Sequence, residues 1–278
     1  MGPCENTGIS LSAHKISIGF GGTRVIADLS IEVPAGRFTA IVGANGSGKS
    51  TLLKMLSRVI RPERGEVLLD GRSIHTLPSR DVAKRLGLLP QSSMAPEGIL
   101  VEDLVWRGRF PHQRFLRECS AEDAAAVQQA LALTGISDLS GRRVDELSGG
   151  QRQRVWIAVV LAQETPLLLL DEPTTFLDIA HQVEVMELLS RLVRREGRTV
   201  IAVLHDLNQA CRYADRVVAL KGGTVFAEGP PLQIMSVALV EQVFGLSAVI
   251  IEDPVTGSPL IIPCPRREAG LAARGEGA

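Results

Sequence analysis

Aromatic side chains are scarce, 4% of 278 residues, with one tyrosine and two tryptophans. That leaves no ring platform on which single-stranded nucleic acid could stack. Cysteine is scarce too, and its four copies (Cys4, Cys119, Cys211, Cys264) lie far apart with no CxxC pair. This spacing excludes the common zinc and dithiol motifs and predicts reduced thiols in a cytosolic protein. Neither sign of charge is in excess: 30 basic against 31 acidic residues give a net charge of -1. A generic nucleic-acid binder needs a broad positive field, which this balance does not supply. Long uncharged runs are also missing. The longest, residues 124–137, has 14 members, short of the about 20 apolar residues that a bilayer span needs. The opening MGPCENTGIS has no basic start and no apolar centre, and predicts no secretory signal.

What is present is an ordinary globular mix, 45% hydrophobic and 22% charged, in a chain long enough for one large domain or two small ones. Short apolar runs predict strands at 16–20, 25–33, 38–42, 66–70, 86–89, 167–170 and 199–204, with a hairpin over 217–227. The four leucines at 167–170 suit a strand covered on both faces. Between the strands, Leu52, Met55, Leu56 and Val59 keep helical spacing, as do Leu207, Ala210, Cys211 and Ala214. The latter set puts Cys211 on a buried face. Val183, Met186, Leu189 and Val193 mark a core-facing helix over 182–193. The pattern predicts an α/β fold with a mainly parallel sheet and a small antiparallel sheet near the start. Residues 92–161 read as an inserted, mostly helical subdomain; after about residue 257 the chain turns Pro-, Arg- and Gly-rich, and its last residues read as a mobile tail.

Residues 43–51 read GANGSGKST and fit G-x-x-x-x-G-K-[ST], with a strand before and a helix after. Gly43, Gly46 and Gly48 let the backbone curl, so that the amides of Ala44, Asn45 and Ser47 can turn towards phosphate oxygens. The helix N-terminus adds partial positive charge. Lys49 supplies a full charge, and Ser50 and Thr51 bring hydroxyls, of which Ser50 suits Mg²⁺. The site predicted is a nucleotide phosphate cradle. A second feature is LLLLDEP at 167–173, an apolar strand ending in Asp171 and Glu172. Asp171 fits an outer partner of Mg²⁺, and Glu172 can orient or deprotonate an attacking water. His14, His75, His112 and His181 show no metal-ligand spacing. Asp206 is read as a helix N-cap.

Residues 147–151 read LSGGQ, ahead of an apolar helix. Lying between Lys49 and Asp171, this element resembles the signature of the ATP-binding-cassette (ABC) ATPases. Other family positions appear in order. Gln91 stands where the Q-loop glutamine belongs. Residues 175–178 (TFLD) resemble the D-loop, and His205 matches the switch histidine. Phe20 takes the place of a tyrosine that stacks on adenine; it lacks the hydroxyl but keeps the ring. The resemblance implies a P-loop NTPase fold: an ATPase domain over 9–245, with a core lobe of 9–91 and 162–245 around a helical subdomain at 92–161, and a C-terminal extension at 246–278.

The resemblance also implies roles. Residues 43–51 bind ATP and Mg²⁺, Gln91 completes the Mg²⁺ shell, Glu172 activates water, and His205 senses the γ-phosphate. Ser148, Gly149, Gly150 and Gln151 clamp a nucleotide held by a second cassette, and Asp178 bridges the two protomers. A single intact motif set favours a homodimer. With one cassette and no predicted span, the chain is expected beneath integral-membrane permeases on the cytoplasmic side of a membrane, served indirectly by a substrate-binding protein. Residues 105–113, 174–187 and 203–216 resemble the ATPase subunits of ferric-siderophore importers and their haem and cobalamin relatives. In that subfamily the segment after Gln91 meets the permease, so 94–113 is the expected docking surface; 255–262 resembles its last strand. Two alternatives stay open: a motor for another cargo, and a soluble ABC ATPase acting on ribosomes or DNA. The balanced charge leads us to expect no nucleic acid.

Overall fold

A computed structural model describes residues 9–113 and 120–265 of the chain. Strands β1 (Leu11–Phe20) and β2 (Thr23–Val33) form a hairpin, turning on Gly21 and Gly22 with φ of 56° and 82°. Strand β3 (Phe38–Gly43) is buried throughout and runs into helix α1 (Lys49–Leu56). Strands β4 (Arg64–Leu69) and β5 (Arg72–Ser73) complete a four-stranded sheet in the order β2-β1-β4-β5. Helix α2 (Ser79–Ala83) leads to β6 (Leu86–Leu89). Next come α3 (Val101–Trp106), α4 (Ala121–Leu133) and α5 (Gly149–Ala162), joined by short 3₁₀ turns. The chain then alternates: β7 (Leu167–Asp171), α6 (Ile179–Glu196), β8 (Thr199–Val203), α7 (Leu207–Tyr213), β9 (Arg216–Lys221) and β10 (Thr224–Gly229). Helices α8 (Pro231–Ile234) and α9 (Val237–Phe244) precede a last hairpin, β11 (Ala248–Glu252) and β12 (Pro259–Pro263).

The main sheet has the order β10-β9-β3-β8-β7-β6. Only the β10–β9 edge is antiparallel. Its central strands divide their side chains between two cores. Leu167, Leu169 and Ile41 face the antiparallel sheet and α1, while Leu168, Leu170 and Ala40 face α3 to α7. This two-sided burial is why β7 reads as an unbroken apolar run rather than an alternating one. The parallel order also brings the C-terminal ends of β3, β8, β7 and β6 side by side, where open α/β sheets build their sites.

Several expectations from sequence need correction. The helix face through Val59 stops early. Helix α1 ends at Leu56, Arg58 takes a left-handed φ of 67°, and Val59 is exposed. The strand expected at 66–70 is Arg64–Leu69, because Asp70 and Gly71, both left-handed, form the tight β4–β5 turn. Strand β1 begins at Leu11, five residues before the predicted 16–20, across a register shift that hides its alternation. The last strand expected within 255–262 is present as β12, which pairs with β11. The final residues 266–278, with Cys4 and Cys119, lie outside the described residues. No helix among the described residues is long and apolar enough to cross a membrane.

Candidate active site

The loop after β3 turns on glycines that nothing else could replace. A Cβ on Gly43 would stand 2.5 Å from Leu220 O and 2.6 Å from Ser47 Oγ, and one on Gly48 2.6 Å from Ile26 Cδ1. Gly48 (φ 96°) also starts α1 without any side-chain cap, so the first-turn amides of α1 have no side chain on them. The Ser47 hydroxyl is buried and meets no hydrogen-bond partner among the described residues. The Lys49 ammonium is buried and donates to Gly43 O at 2.9 Å and Ala44 O at 3.0 Å. Burial pulls its pKa down, against the upward pull of Glu172 and Asp171. The Ser47 N–H, expected to face phosphate, donates instead to Ala44 O at 3.2 Å; the uncapped first-turn amides of α1, the orphan hydroxyl and the desolvated cation are what fit a phosphate group.

Across from the loop, Ser50 Oγ donates to Asp171 Oδ1 at 3.0 Å. Asp171 closes β7 and is only 2% exposed. Burial pushes its carboxyl above the ordinary range; the Ser50 bond opposes the shift and the neighbouring Glu172 charge adds to it. A hydroxyl beside a carboxylate kept costly by burial is a donor set suited to Mg²⁺.

Glu172 is the meeting point. Its φ of 54° turns the chain sharply at the end of β7, while its N–H still donates to Val203 O at 3.2 Å. Gln91 Nε2 donates to Glu172 Oε1 at 2.8 Å, and His205 Nε2 lies 2.6 Å from the same oxygen. Thr175 Oγ1 donates to the other, Oε2, at 3.2 Å. Neighbouring strand ends explain the gathering: Leu89 pairs with Leu170 and Asp171 with Val203. Gln91, Glu172 and His205 thus leave β6, β7 and β8 at one level.

Ser148, Gly149, Gly150 and Gln151 form a second group. Ser148 caps α5 in a reciprocal box: Gln151 N–H donates to Ser148 Oγ at 3.2 Å and Ser148 N–H to Gln151 Oε1 at 3.0 Å. Gly150 packs tightly, since a Cβ there would sit 3.3 Å from Phe176 O, while one on Gly149 would make ordinary contact with Phe176 Cβ at 3.6 Å. Phe176 itself is 77% exposed at a left-handed φ of 67°, a costly posture for an aromatic residue. Asp178 caps α6, accepting from His181 N–H at 2.9 Å, with His181 Nδ1 2.7 Å from the same oxygen. Phe20 ends β1 and is 52% exposed. Thr51 lies in the first turn of α1. Asp206 caps α7 through Asn208 N–H and Gln209 N–H.

Sequence reasoning missed two things. One is the Thr175 bond to Glu172, since a Thr three residues on carries no signal of its own. The other is that the expected docking segment 94–113 is not uniformly surface. Met94 and Phe110 are exposed, but Gly108 and Arg109 are buried. No group of three or more His, Cys, Asp or Glu able to hold a metal is found among the described residues.

The sequence profile of the ABC transporter family matches residues 26–175. Among curated relatives, the ferric enterobactin transport ATP-binding protein FepC of Escherichia coli (strain K12) is 52% identical, over 94% of this chain and 97% of that one. Among solved structures, an inward-facing ABC transporter of the metal-chelate type superposes with a TM-score of 0.78 at 28% identity, covering 93% of this chain and 98% of that chain. The ATP-binding cassette MJ0796, a dimer in a post-hydrolysis state with ADP and Pi, gives a TM-score of 0.71 at 28% identity over 79% of this chain and 98% of that one.

Proposed function

The chain belongs to the ABC transporter family, and on that premise we propose that it is the ATP-hydrolysing motor of an importer for ferric siderophores. The cargo is supported by the 52% identity to a ferric enterobactin transport ATPase over nearly the whole chain. The hydrolytic reading is carried by one observation, the Glu172 carboxylate held by Gln91, His205 and Thr175 beside the Lys49–Ser50–Asp171 group.

The residues divide the work. The amides after Gly43, the Ser47 hydroxyl and Lys49 bind the β- and γ-phosphates, and Phe20 offers its ring to adenine. Ser50, Asp171 and Gln91 would hold Mg²⁺, which when bound supplies positive charge against the phosphate oxygens. Glu172 takes a proton from a water whose oxygen attacks the γ-phosphorus, and the bond to the ADP oxygen breaks. His205, already on Glu172, is placed to meet the γ-phosphate.

Ser148 to Gln151 serve a different nucleotide. The cap uses the amides of Ser148 and Gln151, which leaves those of Gly149 and Gly150, in the first turn of α5, to meet a phosphate on a second copy. ATP then joins two copies head to tail, with Asp178 at the seam, and hydrolysis loosens them. The permease docks on 94–113, and a substrate-binding protein delivers cargo to the far side of the membrane.

The test is uptake of radiolabelled ferric enterobactin by cells lacking this chain, rescued with the native sequence or Glu172→Gln. Native alone should restore uptake. Purified Glu172→Gln should lose about 10²- to 10⁴-fold in turnover while ATP holds it as a dimer. Hydrolysis at the native rate would remove Glu172 from its role. Normal uptake in cells without the chain would remove the cargo.

A further inference from the structure

We propose that Gly108 and Arg109 form the rigid joint through which the docking segment 105–113 moves helix α5, and with it the Ser148–Gln151 group. The inference rests on the docking reading above and adds the residues that transmit the motion. Residues 107–109 make one 3₁₀ turn after α3. Gly108 lets that turn lie backbone-to-backbone on α5: a Cβ there would stand 2.3 Å from Val159 O and 3.2 Å from Ala162 Cβ. Arg109, 4% exposed, then fastens it. Its Nε donates to Asp123 Oδ1 at 2.8 Å, and one terminal nitrogen donates at 2.7 Å to both Ala162 O and Glu164 Oε2. One buried cation thus ties the turn to the first turn of α4 and the last residue of α5. Burial works to raise the Asp123 carboxyl, but the bonds from Arg109 and Ser120 outweigh it and hold it below its ordinary value. The clamp is therefore charged on both sides.

The opposite attachments are weaker. On the core side, Arg80 is exposed; its Nε donates to Pro111 O at 2.8 Å and its NH2 nitrogen to the carbonyls of His112 and Gln113. Exposed bonds of this kind give way more readily than a desolvated ion cluster. The far end of α5 rests on the core through Gln163, whose side chain donates to Leu86 O at 3.3 Å and to Ala83 O. With Gln163 as the pivot, the bond from Gln153 Nε2 to Pro173 O at 3.1 Å is the one that must give, and Gly108 and Arg109 grip α5 within a turn of that pivot. The helix has 14 residues, a length of about 21 Å. A rotation of about 5° at the pivot would carry Ser148 by about 2 Å over that length, enough to make or break a hydrogen bond to phosphate.

The test compares Arg109→Met with the native residue, and Arg109→Lys in case the first does not fold. Spin labels at positions 110 and 152 report the joint directly in the purified full-length chain. The native joint should give one narrow distance distribution with and without ATP, and Arg109→Met a broad one. In cells, the variant should still co-purify with the permease while ferric enterobactin uptake falls about tenfold. An equally narrow distribution, or native uptake, in Arg109→Met overturns the joint. Phe110→Asp separates the docking reading: if it co-purifies like native, the segment is not the docking surface, whatever the labels show.

Discussion

Asp171 bears its charge where burial opposes one. Its carboxyl titrates above the ordinary range because desolvation outweighs the Ser50 bond, with Glu172 adding to the shift. A carboxyl raised on folding binds more protons folded than unfolded, so stability falls as pH rises through the window between the two values. At neutral pH the nucleotide-free protein therefore carries a penalty, which on the reading proposed above serves cation binding and not folding. Asp171→Asn keeps an acceptor for Ser50 and removes the charge. It should raise the Tm of the nucleotide-free chain at pH 7 by about 2–4 °C while abolishing Mg²⁺-dependent hydrolysis. A calorimetric scan with a steady-state assay checks both, and a lowered Tm would mean that the charge is offset by partners. Lys49→Ala belongs to the same scale. It should weaken ATP binding itself, measured by titration calorimetry, and unchanged affinity would count against the cradle. Most of this site was legible residue by residue, because glycines, Lys49, Asp171 and Glu172 sit in one contiguous stretch each. Thr175 was not, because a hydroxyl on a carboxylate three residues away depends on the left-handed turn at Glu172, which no residue type announces.

At the scale of elements, the last hairpin is held by polar bonds as well as by Ala248 and Ile261, which are buried in the core. Asp253 Oδ1 accepts from Val255 N–H at 2.9 Å, and Oδ2 accepts from Arg212 at 3.0 and 2.6 Å, which ties β11 to α7. Asn208 of α7 bonds both the N–H and the C=O of Ile261. The Val255 amide and the Arg212 guanidinium hold the Asp253 carboxyl at about 2, against an ordinary 3.8. A depressed carboxyl contributes stability that is full above its unfolded value and lost as pH falls through its folded one. The protection of β11 and β12 amides relative to their intrinsic exchange should therefore fall between about pH 4 and pH 2, and Asp253→Asn should show that lower protection already at pH 6. Exchange that ignores the substitution would leave the hairpin to its apolar contacts. Burial similarly pushes the Cys211 thiol up to about 12, so a thiol reagent should spare it in the native protein at pH 8. The buried strands were readable from sequence because both faces are covered. Strand β11 was not, since Val249 and Ile251 point to solvent and its register is set by pairing with β12, which is itself held by Asn208, 53 residues before Ile261.

At the scale of the molecule, the two groups of site residues stand on different elements, although Gly149 lines the same cavity as Gln91 and Glu172. Lys49, Ser50, Asp171, Glu172, Gln91 and His205 gather at the strand ends of the main sheet, while Ser148 to Gln151 crown α5. If ATP joins two copies head to tail, each working site draws its cradle from one copy and its clamp from the other. That can be tested without any permease. Take Lys49→Ala, which damages only the cradle, and Ser148→Arg, which blocks only the clamp. Each variant alone makes pairs in which every site is defective. In a mixed pair, one site combines both defects and the other combines the intact cradle of one copy with the intact clamp of its partner. Mixing two inactive proteins should therefore restore part of the native ATP turnover, with a share that rises to a maximum at equal amounts. A chain that hydrolysed ATP with its own α5 would behave otherwise, because no mixture could bring Lys49 and Ser148 together in a single copy. Turnover that stays at the level of the separate variants at every ratio would sink the head-to-tail arrangement, and with it the role given to LSGGQ.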